Sequence, residues 1–425
     1  MAQRIRRVAL IYDATMAYDL RVMGGVAAYL QGSTQWSVYI EESALKDQRL
    51  PDLEAWEGNG IIANLDHANV ALAVSKSKLP AVGFGSGYGW YAPESKIPYF
   101  FTNNEAIAGL GADHLLQKGF RNFAFCGYPR TPINGWSEER GIAFQKCVEQ
   151  RGFTCITYID RHRKIHRWAE TQKSLSAWLL ALPKPVGLMA ANDNRARQVL
   201  EACRECGLRV PDEVAVIGVD NDHVLCQLSS PLLSSIEQGA SRVGFEAAAL
   251  LDRMMIGKTP LNSQFVIEPE GVVMRLSTNV MPVEDPEVAK AMSFIRQYAC
   301  DGINVHDVVA AAAVSRSGLE LRFRTILGRT LHTAIRETQF ERVKALITET
   351  SLAPKEIAAR TGFKSVQHMS TLFKLAFGAP PAEYRRRVQS TFHLTHSTSA
   401  LALKRLQATD LERPGLNMDP AADHK

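Results

Sequence analysis

The chain carries two different patterns of apolar residues, one after the other. From residue 7 to about 219, short apolar runs alternate with amphipathic stretches. The runs are RVALIY at 7–12, WSVYI at 36–40, GIIA at 60–63, AVGF at 81–84, FAF at 123–125, VGLMA at 186–190 and VAVIGV at 214–219. Continuous runs of this length predict strands buried on both faces of a parallel sheet. Between them, helical periodicity predicts helices over 19–30, 104–119, 138–150, 174–182 and 194–206, the second ending in the stop signal Lys118-Gly119. Strands and helices alternating at this spacing predict α/β layers, and about 280 residues with a break near the middle predict two lobes with a cleft between them.

The second pattern is a repeat. VVAAAAVSRSGLELRFRTILG, starting at Val308, is echoed by EIAARTGFKSVQHMSTLFKLAFG. Leu319, Phe323 and Gly328 recur as Met369, Phe373 and Gly378, each fifty residues on. A short Ala-rich helix, a tight turn and a longer basic helix occur twice, which predicts two helix-turn-helix units at about 305–328 and 354–378. A helix over 287–300 precedes them, and a long helix over 329–349 sets their spacing. Pro282 and Pro286 interrupt a stretch without periodicity. The expected division is therefore a two-lobed domain at 1–280, a linker at 281–286, an all-α domain at 287–388 and a flexible tail at 389–425, rich in Ser, Thr, Asp, Pro and Ala.

Charge follows this division. The net charge of +5 is uneven: residues 1–284 hold 29 Lys and Arg against 30 Asp and Glu, whereas residues 285–390 hold 16 against 10. The basic excess falls on the repeat, where a phosphate-binding domain needs it; a solvated basic face is the plainer explanation until the coincidence is noticed. No apolar run approaches the length of a membrane span, and MAQRIRRVALIYD lacks the features of a signal peptide, so the expected location is the cytoplasm. Seven scattered cysteines do not make a disulfide framework.

Open parallel sheets bind ligands beyond the carboxyl ends of their strands. The residues found there are Tyr18, Asp19, Asp66, Asn104, Trp136, Arg140, Asn192, Asp193 and Asp220, with Thr102, Asn103 and Asn221 beside them. Carboxylates that accept hydroxyl protons, amides and a guanidinium that donate, and aromatic faces suit a polyhydroxylated ligand. Taken singly, each is better explained as a helix cap or a solvated loop residue, Asn104 and Asp193 above all. Recurrence at several strand ends is what points to a ligand.

In the repeat, Leu319, Phe323 and Leu327 face inward at helical spacing, with Ser315 as N-cap. That leaves Arg316, Ser317, Glu320 and Arg324 for the major groove, where Arg pairs with guanine and Glu with cytosine. The second reader, expected from residue 364, offers Lys364, Ser365, Gln367, His368, Thr371 and Lys374. Gly318 inside a helix costs about 1 kcal/mol relative to Ala, and a close backbone approach to DNA would account for it. Gly83-Phe84-Gly85-Ser86-Gly87-Tyr88-Gly89 lacks dinucleotide spacing and reads as a loop edging the cleft. Cys203 and Cys206 have no second pair, and His162 and His166 have no third ligand, so neither metal nor cofactor is expected. No nucleophile stands with a base; an enzyme carrying a helical appendage is the rival to a regulator.

The runs NNEAIAGLGADHLLQKGFRNFAFCG and ANDNRAR…CGLRVPDEVAVIGVDN resemble the effector domain of LacI-type regulators and periplasmic sugar-binding proteins, over about 5–280. The resemblance implies a type I periplasmic-binding-protein-like fold and sugar binding at Arg140, Asn192 and Asp220. LacI-type regulators begin with a DNA-binding module and nothing like it precedes the first strand here, so the reader is expected elsewhere. Residues 285–387, closing in GAPPAEYRRR, resemble the AraC-type DNA-binding domain, with Pro380 where that family has Thr and Met369 where an aromatic is common. The joined arrangement is similar to that of the bacterial xylose operon regulators, whose opening resembles AYDLRVMGGVAAYLQ. It implies a homodimeric transcription activator acting on double-stranded promoter DNA and RNA polymerase, with D-xylose as effector. The residues themselves leave xylose, arabinose and ribose open.

Overall fold

A computed structural model describes residues 5–33, 36–41, 52–53, 56–85, 97–131, 133–159, 168–258, 260–279, 285–350 and 352–386. The chain forms two compact units, Met1–Pro282 and Val283–Lys425.

The first unit opens with β1 (Arg6–Ile11), α1 (Ala17–Ser33), β2 (Trp36–Glu41), β3 (Gly60–Asn64), α2 (Ala68–Lys76), β4 (Ala81–Gly85) and β5 (Tyr99–Thr102). A second lobe follows: α3 (Asn104–Gln117), β6 (Asn122–Gly127), α4 (Gly135–Glu149), β7 (Cys155–Ile159), α5 (Trp168–Ala181), β8 (Val186–Ala190), α6 (Asp193–Glu205), β9 (Val214–Val219), α7 (His223–Leu228) and β10 (Ser234–Glu237). The chain then returns to the first lobe as α8 (Ala240–Met254) and β11 (Gln264–Ile267), and crosses again to β12 (Gly271–Val273) and a 3-10 turn at Leu276–Thr278.

The two sheets have the orders β11-β5-β4-β3-β1-β2 and β12-β10-β9-β8-β6-β7. All pairings are parallel except β10 with β12. Four of the apolar runs are strands buried throughout, every residue of β3, β4, β8 and β9. WSVYI is not, because β2 is the edge strand of the first sheet and leaves Tyr39 and Ile40 exposed. The two lobes are the expected ones, but they are not successive halves of the chain. Three passages join them, at Asn103, at Gln238–Gly239 and between Ile267 and Gly271. Backbone hydrogen bonds tie the passages together, Asn103 N to Ile267 O at 3.0 Å and Glu270 N to Glu237 O at 2.8 Å.

α1 and α8 pack on the same face of the first sheet and touch through their backbones. A Cβ on Gly25 would stand 1.8 Å from Ser241 O, and one on Gly244 would stand 1.8 Å from Val22 O. Only hydrogen fits at either place.

The second unit is helical among its described residues. It comprises α9 (Pro286–Tyr298), a 3-10 turn, α10 (Val305–Ala312), α11 (Arg316–Leu327), α12 (Leu331–Glu349), α13 (Pro354–Arg360) and α14 (Val366–Phe377). It has two cores. Leu319 and Phe323 join Val288, Ile295 and Val308 in the first; Met369 and Phe373 join Ile357 and Phe363 in the second. α12 serves both, with Leu331, Ala334 and Ile335 in one and Phe340, Val343 and Ile347 in the other. Midway along it, buried Gln339 donates to Ala299 O at 2.8 Å and Gly362 O at 3.5 Å, binding the halves together.

Candidate functional site

The carboxyl ends of both sheets meet at a cavity of about 410 Å³. β1 delivers Tyr18 and Asp19 on the first turn of α1, β3 delivers Asn64 and Asp66, and β5 leads to Thr102 and Asn104. From the other lobe come Trp136 and Arg140 on α4, Asn192 after β8, Asp220 after β9 and Gln238 after β10. Eight of the nine residues expected at a ligand site line this cavity.

Asp193 does not. Its carboxylate turns away and accepts from Ser235 Oγ at 2.5 Å and from the backbone N–H of Asp222 at 2.7 Å. One oxygen packs where a Cβ on Gly218 would have to go. Asp193 therefore holds the loop that presents Asp220. The helix caps also fall one residue earlier than expected. Asn103 and Asn192, not Asn104 and Asp193, accept the backbone N–H groups of Ala106 and Arg195.

Arg140 is buried at the centre. Its Nε donates to Asn104 Oδ1 at 3.1 Å, Nη1 donates to the Ala191 carbonyl, and Nη2 donates to Gln238 Oε1 at 3.1 Å. Its guanidinium lies 5.1 Å from the Trp136 ring centroid. Gln238 Oε1 also accepts from Thr102 Oγ1 at 3.1 Å, so its amide must present nitrogen to Asp220, to which it donates. One amide thus links Thr102, Arg140 and Asp220. Burial lowers Arg140 to about 10, which leaves it cationic at neutral pH. Burial also raises Asp220, against the pull of Arg140 and Arg21.

On the facing side, Asn64 donates to both oxygens of Asp19, at 3.0 and 2.9 Å, and the Asp13 N–H donates at 2.8 Å. Burial still pushes Asp19 up to about 7. Asp66 accepts from Tyr99 Oη at 2.9 Å, and Tyr18 Oη donates to Gly85 O at 3.3 Å. Gly85 is the last described residue of the glycine-rich stretch; 86–89 lie outside the described residues.

Arg21 bridges the lobes. From α1 it donates to the carbonyls of Asp220 and Asn221 at 2.8 and 2.7 Å and pairs with Glu237. Asp220 and Asn221 have φ of 106° and 52°, conformations that cost a non-glycine residue about 1–3 kcal/mol and cluster at functional sites. Asn64, Gln238, Arg21 and Glu237 went unread in the sequence. Asn64 directly follows an apolar run, so the strand-end rule reaches it; Arg21 lies on a helix face that hydropathy does not mark, Glu237 ends a strand that it does not mark, and Gln238 follows that strand.

The two reader helices present the other candidate surface. Ser315 and Ser365 cap α11 and α14, accepting from the N–H groups of Gly318 and His368 at 3.3 and 3.2 Å. Arg316, Ser317, Arg324, Gln367, His368, Thr371 and Lys374 are exposed. Glu320 is half-exposed and accepts from Arg316 Nε at 2.9 Å, so these two hold each other. Lys364 is exposed but stands before the cap: α14 starts at Val366, two residues later than expected. A Cβ on Gly318 would meet only the capping Ser315 Oγ, at 2.9 Å, and the same position of α14 carries His368 beside its capping serine, so the local packing does not call for glycine. Arg322 pairs with Glu287 and Asp285 instead of facing outward.

Among the described residues no group of three His, Cys, Asp or Glu is placed to hold a metal, and no helix is long and apolar enough to cross a membrane. Cys206 Sγ, at the C-cap of α6, donates to Cys203 O, and His162 and His166 lie outside the described residues. All seven cysteines are free.

Comparison with known proteins agrees with this geometry. Residues 7–105 match the XylR N-terminal domain, 112–278 a periplasmic binding protein-like domain and 308–387 a helix-turn-helix domain. The xylose operon regulatory protein of Escherichia coli K12 is 34% identical over 386 residues, 91% of this chain and 98% of that one. Its counterpart in Haemophilus influenzae is 32% identical over 91% of this chain and 99% of its own. A solved structure described as the xylose-binding transcription activator xylR superposes with a TM-score of 0.77 at 34% identity, covering 91% of this chain and 99% of that one. The CelR-cellobiose complex, at 22% identity over 65% of this chain and 85% of that one, with a TM-score of 0.52, shares the sensor fold. A two-lobed α/β sensor and a double helix-turn-helix reader, aligned nearly end to end with these relatives, place the chain in the family of xylose operon regulatory proteins.

Proposed function

We propose that this chain is a sugar-responsive transcription activator with D-xylose as effector and promoter DNA as target. The observation that carries the effector reading is the charge of the cavity. Among the described residues, Asp13, Asp19, Asp66, Asp220 and Asp222 line it, against one guanidinium, that of Arg140. Even with Asp19 and Asp220 raised by burial, an anionic metabolite would meet more carboxyl groups than cations, whereas a neutral ligand rich in hydroxyls finds hydrogen-bonding partners in both lobes. Arg140, Asn192 and Gln238 supply donors, and Trp136 and Tyr18 supply faces for C–H groups. The relatives' names narrow the sugar to xylose.

Binding acts by preferring one arrangement of the lobes. A sugar held by Asp19 and Asp66 from one lobe and by Arg140 and Asp220 from the other stabilises closure about the three passages. The reader then engages DNA through Arg316, Ser317, Glu320 and Arg324 on α11 and Gln367, His368, Thr371 and Lys374 on α14. Ser315, Lys364 and Ser365 stand near the helix starts, where phosphates bind. A homodimer in the cytoplasm, recruiting RNA polymerase, completes the reading.

A panel of pentoses and hexoses tests it by thermal shift, since a ligand that binds only the folded state raises its melting point. D-xylose should give the largest shift, and a duplex carrying the operon promoter should bind with steep salt dependence. A chain that no sugar stabilises, or with no salt-sensitive affinity for promoter DNA, would overturn the proposal.

A further inference from the structure

α11 and α14 are built to one plan. Each is twelve residues long, opened by a capping serine and closed by a left-handed glycine. In each, the fully buried pair stands at the fourth and eighth positions, Leu319 and Phe323 in one and Met369 and Phe373 in the other. At 100° per residue the sixth position points directly opposite the midpoint of that pair. That position is Thr371 in α14 and Leu321 in α11, the latter 69% exposed.

On the outward face of α11, Leu321 has Ser317 four residues before it and Arg324 three after, both exposed. An isolated exposed leucine is ordinary on a protein surface and carries no message. This one sits at the centre of a face otherwise made of hydrogen-bonding groups, in the half of the helix that reaches base edges when a helix enters the major groove. Leu375 is more exposed, at 85%, but lies in the last turn of α14. A leucine cannot pair with a phosphate or with the nitrogens and oxygens of a base. What the major groove offers it is the C5-methyl group of thymine, which also suits the methyl of a threonine.

We infer that Leu321 is a specificity-determining residue that reads the methyl group of a thymine. The inference rests on the DNA-binding function proposed above and adds the base that this helix selects. Arg316, Ser317, Glu320 and Arg324 act through polar contacts; Leu321 supplies the apolar one.

The test uses the full chain and duplexes that it selects from a randomised pool. Each thymine of the selected site is replaced singly by deoxyuridine, which lacks only the methyl group, and affinity is measured at fixed salt. One replacement should weaken wild-type binding about four-fold, the equilibrium worth of one buried methyl group. Leu321→Ala should bind the thymine and deoxyuridine forms alike, with its melting temperature and salt slope unchanged. Wild type indifferent to deoxyuridine at every position overturns the inference. So does a Leu321→Ala chain that still discriminates at the same thymine, or one whose DNA preference is intact while its assembly state changes, which would make Leu321 a protein contact. A chain that selects no sequence and shows no salt-sensitive affinity would remove the DNA-binding reading itself.

Discussion

His114 Nε2 lies 2.8 Å from Thr278 Oγ1, so the helix that begins beside Arg140 ends on the last turn of the sensor. Asn104 on the first turn of α3 accepts from Arg140, and the ten residues from there to His114 span about 15 Å of rigid helix. Thr278 passes the contact on, donating to Ser234 Oγ at 2.8 Å. His114→Ala should lower the stability of the sensor by about 1–3 kcal/mol, through the loss of a buried partner. It should also weaken the effect of sugar on DNA affinity more than it weakens sugar binding. Calorimetry with sugar, and DNA binding with and without it, separate the two; DNA binding as sugar-sensitive as wild type would remove α3 from the coupling.

Gln238→Ala breaks the link between Arg140, Asp220 and Thr102 while leaving the charges in place. Sugar affinity should fall by about 10-fold to 100-fold, in line with the loss of hydrogen bonds to charged groups. Non-specific DNA affinity, carried by the other unit, should not change. Arg140→Ala should abolish the sugar response with the same sparing of DNA affinity. Titration calorimetry on the one hand and fluorescence anisotropy on the other read these outcomes.

Stability should depend on pH in two opposing ways. Asp19 ionises at about 7 when folded and near 4 when unfolded. Between those values the folded chain keeps a proton that the unfolded chain has released, so this contribution falls as pH rises from about 4 to 7. Burial, assisted by Lys118, holds His114 down at about 4, against roughly 6.5 unfolded. Its contribution is full above about 6.5 and is lost as pH falls towards 4. Urea unfolding at several pH values should therefore show Asp19→Asn flattening the descent towards neutrality and His114→Gln flattening the acid side.

Gly244→Ala places a methyl group against the Val22 carbonyl, with backbone on both sides and no side chain to move aside. The α1–α8 crossing must open, and destabilisation of at least about 1–3 kcal/mol is expected, as for other overpacked cores. Gly109→Ala, on α3 with open space around its position, serves as the control and should not destabilise the chain. Thermal unfolding compares the two.

In the reader, Lys374→Ala should reduce the slope of log affinity against log salt by about 1, uniformly across DNA sequences. Gln367→Ala should instead relax the preference at one base pair, by about 1–3 kcal/mol of discrimination. Binding to selected and scrambled duplexes over a salt series distinguishes a phosphate contact from a base contact.

The parts of this molecule that were legible in sequence are those marked by hydropathy or by repetition. β3, β4, β8 and β9 are unbroken apolar runs buried throughout, and Leu319, Phe323, Met369 and Phe373 recur at a fixed offset and are all buried. β10 was not legible, because its sequence SSIE is polar and its burial rests on partners distant in the chain. Ser234 meets Ser277, Ser235 meets Asp193 and Glu237 meets Arg21. With β10 hidden, the strand-end rule had no strand from which to reach Gln238. Asp193 shows the opposite failure: it follows a legible strand, but a helix-start residue can turn inward as readily as toward a ligand.

The three passages between the lobes also set what can be exchanged among such proteins. No single cut divides one lobe from the other, because α8 and β11 belong to the first lobe while β12 and the turn at Leu276–Thr278 return to the second. A chimaera that replaces only the first hundred residues would leave a sheet short of its own last strand and a foreign helix against Gly244. Recombination that keeps the fold must carry the sensor whole, and its natural seam lies after Thr278. New sugar specificities on this scaffold should therefore arise either by substitution within the cavity or by transfer of the entire sensor.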